Sequence, residues 1–121
     1  MSQIFVVDDD SDILDALRFV LEDSEYSVKT TQNGEDAEKL LTAKDLPSLI
    51  ILDVLLSGKD GRDICRNLKS NSRTKHIPII MISAHPAVKQ SVYKAGADSF
   101  IPKPFDIGIL LETVEKLLKS S

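Results

Sequence analysis

A short run at residues 49–53 reads LIILD, with four apolar residues in succession and an aspartate at its end. Two further runs have the same character, IFVV at residues 4–7 and IIMI at residues 79–82. Strands that are apolar at every position are typical of a parallel sheet whose two faces are both covered by helices. The three runs therefore predict the centre of such a sheet.

Two less apolar runs, at residues 26–30 and 99–101, complete a set of five predicted strands. A stretch with apolar residues at helical spacing follows each strand, and the first of these helices has a candidate cap at Asp10 or Ser11. Five β-α units with short connections predict an α/β fold, a (βα)5 doubly wound parallel sheet of the flavodoxin-like type with strand order 2-1-3-4-5.

The polar segments of the chain are predicted to lie at the margins of this fold. The run SVKT at residues 27–30 is expected at an edge of the sheet, because it is less apolar than the central strands. The segment RNLKSNSRTKH at residues 66–76 is expected to be a solvated loop.

The composition fits one domain over residues 1–121, with 42% hydrophobic residues and a single cysteine, Cys65. One thiol and no cluster of Cys and His at metal-ligand spacing exclude a disulfide framework and a zinc module. The net charge of −4 argues against direct binding of nucleic acid. We expect a cytoplasmic protein without membrane contact, since the sequence has neither a signal-peptide pattern nor an apolar run of about 20 residues.

Polar residues follow the predicted strands at their carboxyl ends, where ligands bind in open α/β sheets. They are Asp8 and Asp9 after the first strand, Asp53 after the third, Ser83 after the fourth and Lys103 after the fifth. Three carboxylates on strands roughly 5 Å apart repel one another, and one lysine compensates only part of that charge. All-oxygen ligands suit Mg²⁺, so the residues predict a magnesium site, with raised carboxylate pKa values when the metal is absent.

The segments that carry these residues resemble the receiver domains of two-component response regulators over essentially the whole chain. The matching segments are FVVDDD, LIILDVLLSGKDG, IIMISA, AGADSFI and PKPF. The resemblance implies that Asp53 is a phosphoacceptor and that Ser83 and Lys103 contact the phosphoryl group. It implies magnesium ligands from Asp8, Asp9, Asp53 and the backbone carbonyl of Leu55. The implied phosphoryl donor is a phosphohistidine on a sensor histidine kinase or a histidine phosphotransfer protein.

The same resemblance implies a cis peptide bond before Pro104 and a switch pair formed by Ser83 and Phe100. The implied output surface is the fourth helix, the fifth predicted strand and the fifth helix, which would contact a downstream protein target or a fused output domain. Such a domain is not an enzyme in the usual sense, because it catalyses only its own phosphorylation and dephosphorylation. The sequence is compatible with a stand-alone receiver and with a piece of a larger regulator.

Several positions depart from the pattern of the family. Leu56 and Ser57 replace a common Met-Pro pair, so we expect the loop that leads to Gly61 to follow a looser path. Neither the apolar Leu55 nor the bulky His85 orients a water molecule in an obvious way. We therefore hypothesise that the phosphorylated protein loses its phosphoryl group slowly.

Two alternative functions stand beside the receiver. A pseudo-receiver has the same fold and binds proteins without phosphorylation, although such a module has no need for the repulsive acidic cluster. A haloacid-dehalogenase-like phosphohydrolase would use Asp8 and Asp10 as its Asp-x-Asp motif. Those enzymes carry a flap between the first strand and the first helix, whereas helical periodicity begins here almost at once.

Overall fold

Five parallel strands form the centre of the computed structural model, which describes residues 2–120. The strands of this sheet are β1 (Gln3–Val7), β2 (Ser27–Thr31), β3 (Leu49–Asp53), β6 (Ile79–Ser83) and β7 (Ser99–Pro102). Their order is β2-β1-β3-β6-β7, and each neighbouring pair is parallel. This confirms the predicted order 2-1-3-4-5, because β6 and β7 are the fourth and fifth predicted strands. The ends of the predicted domain, residues 1 and 121, lie outside the described residues.

Helices connect the strands. They are α1 (Ser11–Asp23), α2 (Gly34–Glu38), α3 (Gly61–Ser70), α4 (Lys89–Lys94) and α5 (Ile107–Ser120), with 3-10 turns at Lys39–Leu41 and Pro86–Val88. The side chain of Asp10 caps α1 by accepting a hydrogen bond from the Asp12 N–H. Since α1 begins directly after this cap, the flap of a dehalogenase-like enzyme has no place between β1 and α1. Among residues 2–120, no helix combines the length and the apolarity needed to cross a membrane.

Alternate residues of the central strands pack into two separate core layers, as the period of a strand requires. In β1, Ile4 and Val6 face α1 and α5, whereas Phe5 and Val7 face α2, α3 and α4. The strands β3 and β6 divide their side chains in the same way, and every residue of both is buried. Burial on both faces explains why the sequence of these strands is apolar without alternation.

The prediction of a solvated loop over residues 66–76 is wrong in its first half. The helix α3 continues to Ser70, because its apolar stripe extends to the buried Leu68. Beyond the helix, Thr74 is fully buried and its hydroxyl donates a hydrogen bond to the Leu68 carbonyl at 2.6 Å. Polar residues here occupy the outer face of a helix and a closed turn.

The segment after β3, expected to be loose, is instead a short antiparallel hairpin of β4 (Leu55–Leu56) and β5 (Lys59–Asp60). Gly58 lies in its turn at φ 74°, in the left-handed region that favours glycine. The hairpin is tied to α2 by an ion pair between Lys59 and Glu38 at 2.9 Å. It leads into α3 through Asp60, whose side chain caps that helix.

Candidate functional site

Three carboxylates meet at the carboxyl edge of the sheet. Asp53 ends β3, and Asp8 and Asp9 directly follow the neighbouring strand β1. Each of the three offers one carboxylate oxygen, and these oxygens lie within 4.8 Å of one another. The topology therefore brings together the acidic residues that the sequence predicts as metal ligands.

The carboxylate of Asp8 is fully buried and only half satisfied. Its Oδ1 accepts a hydrogen bond from the Asp10 N–H at 2.9 Å, whereas its Oδ2 accepts no well-directed hydrogen bond from any described donor. The ammonium of Lys103 lies close to that oxygen, with Nζ at 2.8 Å. Burying a carboxylate oxygen of this kind costs free energy unless cations compensate its charge. The oxygen ligands of the three aspartates fit a hard divalent ion such as Mg²⁺.

Lys103 places its ammonium between two of the carboxylates. Its Nζ lies 2.8 Å from Asp8 Oδ2 and 3.4 Å from Asp53 Oδ2. Burial alone would lower the pKa of Lys103, but the close contacts with the two negatively charged aspartates outweigh it and raise that pKa. The Lys103–Pro104 peptide bond is cis, and the Lys103 N–H donates a hydrogen bond to the Ser83 carbonyl at 2.9 Å.

Asp53 holds its proton to a higher pH than an ordinary aspartate. The pKa of Asp53 is raised to about 6. Burial is the main cause, the negative charge of Asp8 raises the pKa further, and Lys103 offsets part of the rise. The expectation of a raised carboxylate pKa in the absence of metal is thus met at this residue. A cation bound at the site would stabilise the ionised form of Asp53 and lower its pKa.

The remaining predicted site residues lie at or near the same edge. Ser83 ends β6, is buried, and accepts a hydrogen bond from the His85 N–H at 3.0 Å. Phe100 lies opposite Met81 in β7, with its side chain half-buried against the core layer of α2, α3 and α4. The N–H of Phe100 donates to the Tyr93 hydroxyl on α4 at 3.2 Å.

The two residues expected to influence loss of the phosphoryl group are both exposed. Leu55 begins β4, and its side chain is 53% exposed. His85 is also exposed and follows β6. The side chains of both residues are therefore open to solvent.

A further contact at the site was not expected from the sequence. The hydroxyl of Ser57, in the turn of the hairpin, donates a hydrogen bond to Asp9 Oδ2 at 3.0 Å. A Ser-Gly pair at residues 57–58 is a turn signal, which would have indicated the hairpin. No local pattern indicates the partner, because Asp9 lies 48 residues earlier in the chain.

The arrangement is suited to binding a cation and, next to it, an anionic group. The buried carboxylate of Asp53 lies beside the ammonium of Lys103. It also lies beside carboxylate oxygens of Asp8 and Asp9, which can hold a second positive charge. Fixed positive charge at a shielded site stabilises additional negative charge, such as that of a transferring phosphoryl group.

Comparison with known proteins gives a consistent result. The model of the response regulator receiver domain family matches residues 4–115. The response regulator MprA from Mycolicibacterium vanbaalenii is 38% identical over 119 residues, which cover 97% of this chain and 50% of the relative. The chain therefore spans about half the length of the curated relatives it matches.

Solved structures show the same similarity. The signal receiver domain of a signal transduction histidine kinase from Syntrophus aciditrophicus matches with a TM-score of 0.90 and 32% identity, over 99% of this chain and 92% of that chain. The chemotaxis protein CheY4 from Vibrio cholerae matches with a TM-score of 0.84 and 28% identity, over 97% of this chain and 98% of that chain.

Proposed function

The chain belongs to the response regulator receiver domain family, and from this premise we propose that it accepts a phosphoryl group on Asp53. The observation that carries the proposal is the environment of that carboxylate. Asp53 is buried beside the ammonium of Lys103, and it shares the edge with a buried Asp8 oxygen that accepts no well-directed hydrogen bond from the described residues. A domain that only bound proteins would gain nothing from this repulsive cluster.

In the proposed reaction, a carboxylate oxygen of Asp53 attacks the phosphorus of a phosphohistidine. The new bond joins that oxygen to phosphorus, the phosphorus–nitrogen bond breaks, and the imidazole leaves with its electron pair and takes up a proton. The product is an acyl phosphate on Asp53. Lys103, 3.4 Å from Asp53 Oδ2, compensates negative charge as the group arrives. The hydroxyl of Ser83, a buried residue at the end of β6, is the proposed second contact of the phosphoryl group.

The proposed metal ligands are the carboxylates of Asp8, Asp9 and Asp53 and the backbone carbonyl of Leu55. When bound, Mg²⁺ neutralises carboxylate charge and stabilises charge on the phosphoryl oxygens. The chain itself contributes the fixed positions of its acidic side chains. The Asp10 N–H orients one oxygen of Asp8 and leaves the other directed toward the cluster.

The proposed output is a shift between two arrangements of Ser83 and Phe100 that changes the surface of α4, β7 and α5. Phe100 is suited to this because it is only half-buried and because its N–H contacts α4 through Tyr93. Proposed partners are a sensor histidine kinase or histidine phosphotransfer protein as donor, and a downstream protein or a fused output domain as target. The proposed compartment is the cytoplasm, and no direct contact of this domain with nucleic acid or membrane is proposed.

Incubation with acetyl phosphate and Mg²⁺, followed by intact mass spectrometry, tests the proposal. We expect the wild-type protein to gain one phosphoryl group and the Asp53→Ala variant to gain none. Removal of Mg²⁺ with a chelator should abolish labelling of the wild type. The Asp45→Ala variant, which removes an exposed aspartate elsewhere, should label like the wild type. An unlabelled wild type that also shows no change with beryllofluoride would point to a pseudo-receiver.

The Leu55→Asn variant is expected to shorten the lifetime of the phosphorylated state. Leu55 is exposed at the site edge and offers no polar atom from its side chain, whereas an amide can hold a water molecule near the phosphoryl group. We expect roughly a tenfold faster loss of phosphate, below the effect of a full general base. The decay of the phosphorylated mass after removal of acetyl phosphate measures it.

The matched control for this experiment is Phe19→Asn, which makes a similar change on the exposed face of α1. Its phosphate lifetime should equal that of the wild type. An unchanged lifetime in Leu55→Asn would refute the idea that this side chain slows hydrolysis.

A further inference from the structure

We propose that Ser57 is a positioning residue that holds the carboxylate of Asp9 ready for the divalent cation. This inference rests on the proposed function, since it concerns the metal site of the same reaction. It starts from a difference among the three acidic residues. Asp8 and Asp53 are buried, whereas Asp9 is exposed, so the surrounding core does not fix its side chain.

The contact itself is specific. The Ser57 hydroxyl donates to Asp9 Oδ2 at 3.0 Å, and no other hydrogen bond from the described residues reaches that carboxylate. A carboxylate oxygen has more than one lone pair, so Oδ2 can accept this bond while the group still presents oxygens to an ion. Ser57 therefore restricts the rotation of Asp9 without consuming its capacity to bind metal.

Ser57 is itself held in place independently of Asp9. The preceding Leu56 is buried, Gly58 adopts the left-handed conformation that closes the turn, and Lys59 pairs with Glu38 on α2. The donor thus projects from an anchored hairpin. A hydrogen bond from a rigid donor orients its acceptor more effectively than one from a mobile side chain, because less entropy is lost.

The main chain of Asp9 has a second anchor. The side-chain amide of Gln32, in the connection between β2 and α2, donates to the Asp9 carbonyl at 3.1 Å. With its main chain held by Gln32 and its carboxylate held by Ser57, Asp9 is ordered before an ion arrives. Hydrogen bonds to ligating carboxylates support metal affinity in this way.

The test is a Mg²⁺ titration of the unphosphorylated protein in which backbone NMR spectra report binding at each Mg²⁺ concentration. We expect Ser57→Ala to weaken Mg²⁺ binding roughly three- to tenfold, less than the roughly 10- to 100-fold typical of residues that support a metal ligand, because the contact is exposed. Ser57→Thr keeps the hydroxyl and should restore most of the affinity. Ser70→Ala, which removes an exposed hydroxyl that donates to a helix carbonyl, should bind like the wild type.

A second arm asks whether Ser57 acts through Asp9. In an Asp9→Ala background, which removes the oxygen that accepts the Ser57 hydrogen bond, Ser57→Ala should cause little further loss of Mg²⁺ affinity. Equal losses in both backgrounds would overturn the proposal, as would an unchanged affinity in Ser57→Ala alone. A wild type that binds no Mg²⁺ would overturn the metal site and this inference together. If the wild type and the Ser57→Ala variant bind Mg²⁺ equally well, only this inference is overturned and the metal site stands.

Discussion

The Gly61→Ala variant is expected to lose at least about 3 kcal/mol of unfolding free energy. Gly61 begins α3 where that helix passes against the end of β3. A β-carbon at this position would overlap the main-chain carbonyl oxygen of Asp53 and would lie 3.1 Å from the Met81 methyl carbon. The Asp53 carbonyl belongs to a central strand and cannot move aside without disturbing the sheet.

Urea unfolding, monitored by circular dichroism, measures this loss. The matched control is Gly108→Ala in the first turn of α5, where the new β-carbon meets only the Asp106 side chain, at 3.2 Å. We expect the control to stay within about 1 kcal/mol of the wild type, because alanine favours a helix. A Gly61→Ala protein as stable as this control would show that the close approach to Asp53 is not rigid.

The metal-free protein is expected to lose about 2 to 3 kcal/mol of stability through Asp53 as the pH rises from about 4 to about 7. The folded state holds the Asp53 proton up to a pKa of about 6, whereas the ordinary value is 3.8. Between these values the folded state binds more protons than the unfolded state. Stability therefore falls with rising pH across that window and levels off above it.

The difference between wild type and Asp53→Asn isolates this contribution. The comparison is needed because other carboxyl groups have lowered pKa values and make stability rise with pH. For example, a hydrogen bond from Arg62 lowers the pKa of Asp60. We expect Asp53→Asn to be more stable than the metal-free wild type at pH 7 and to lose that advantage near pH 4. Added Mg²⁺ should stabilise the wild type more than the variant. A difference that did not vary with pH would mean that the Asp53 charge is already compensated.

The sheet could be predicted from the sequence because burial leaves a strong mark on composition. Strands covered on both faces show unbroken apolar runs, as in β1, β3 and β6. Placing the three apolar strands in the middle and the polar run of β2 at an edge favours the observed strand order, although it does not prove it. Parallel strands have their carboxyl ends at the same edge of the sheet, so the strand assignment also predicted that Asp8, Asp9, Asp53 and Lys103 lie together. The distances between their side chains could not be predicted in this way.

What could not be predicted depends on contacts between distant residues. Polar residues in the second half of α3 resemble a loop in sequence, because only Leu68 marks the buried face of that part. The hairpin of β4 and β5 is too short to show periodicity. The contact of Ser57 with Asp9 arises only when the hairpin folds against the end of β1.

The hydrogen bond from Phe100 to the Tyr93 hydroxyl also bears on how this domain associates with others. Strand β7 is an edge of the sheet, and alternate residues direct their N–H groups outward. On the outer side, the Phe100 N–H is already taken by Tyr93, and Pro102 two residues later has none. An incoming strand would find no donor on β7 itself with which to extend the sheet. Strand addition at this edge is therefore disfavoured, because β7 offers an incoming strand outward carbonyl groups but no free outward N–H group.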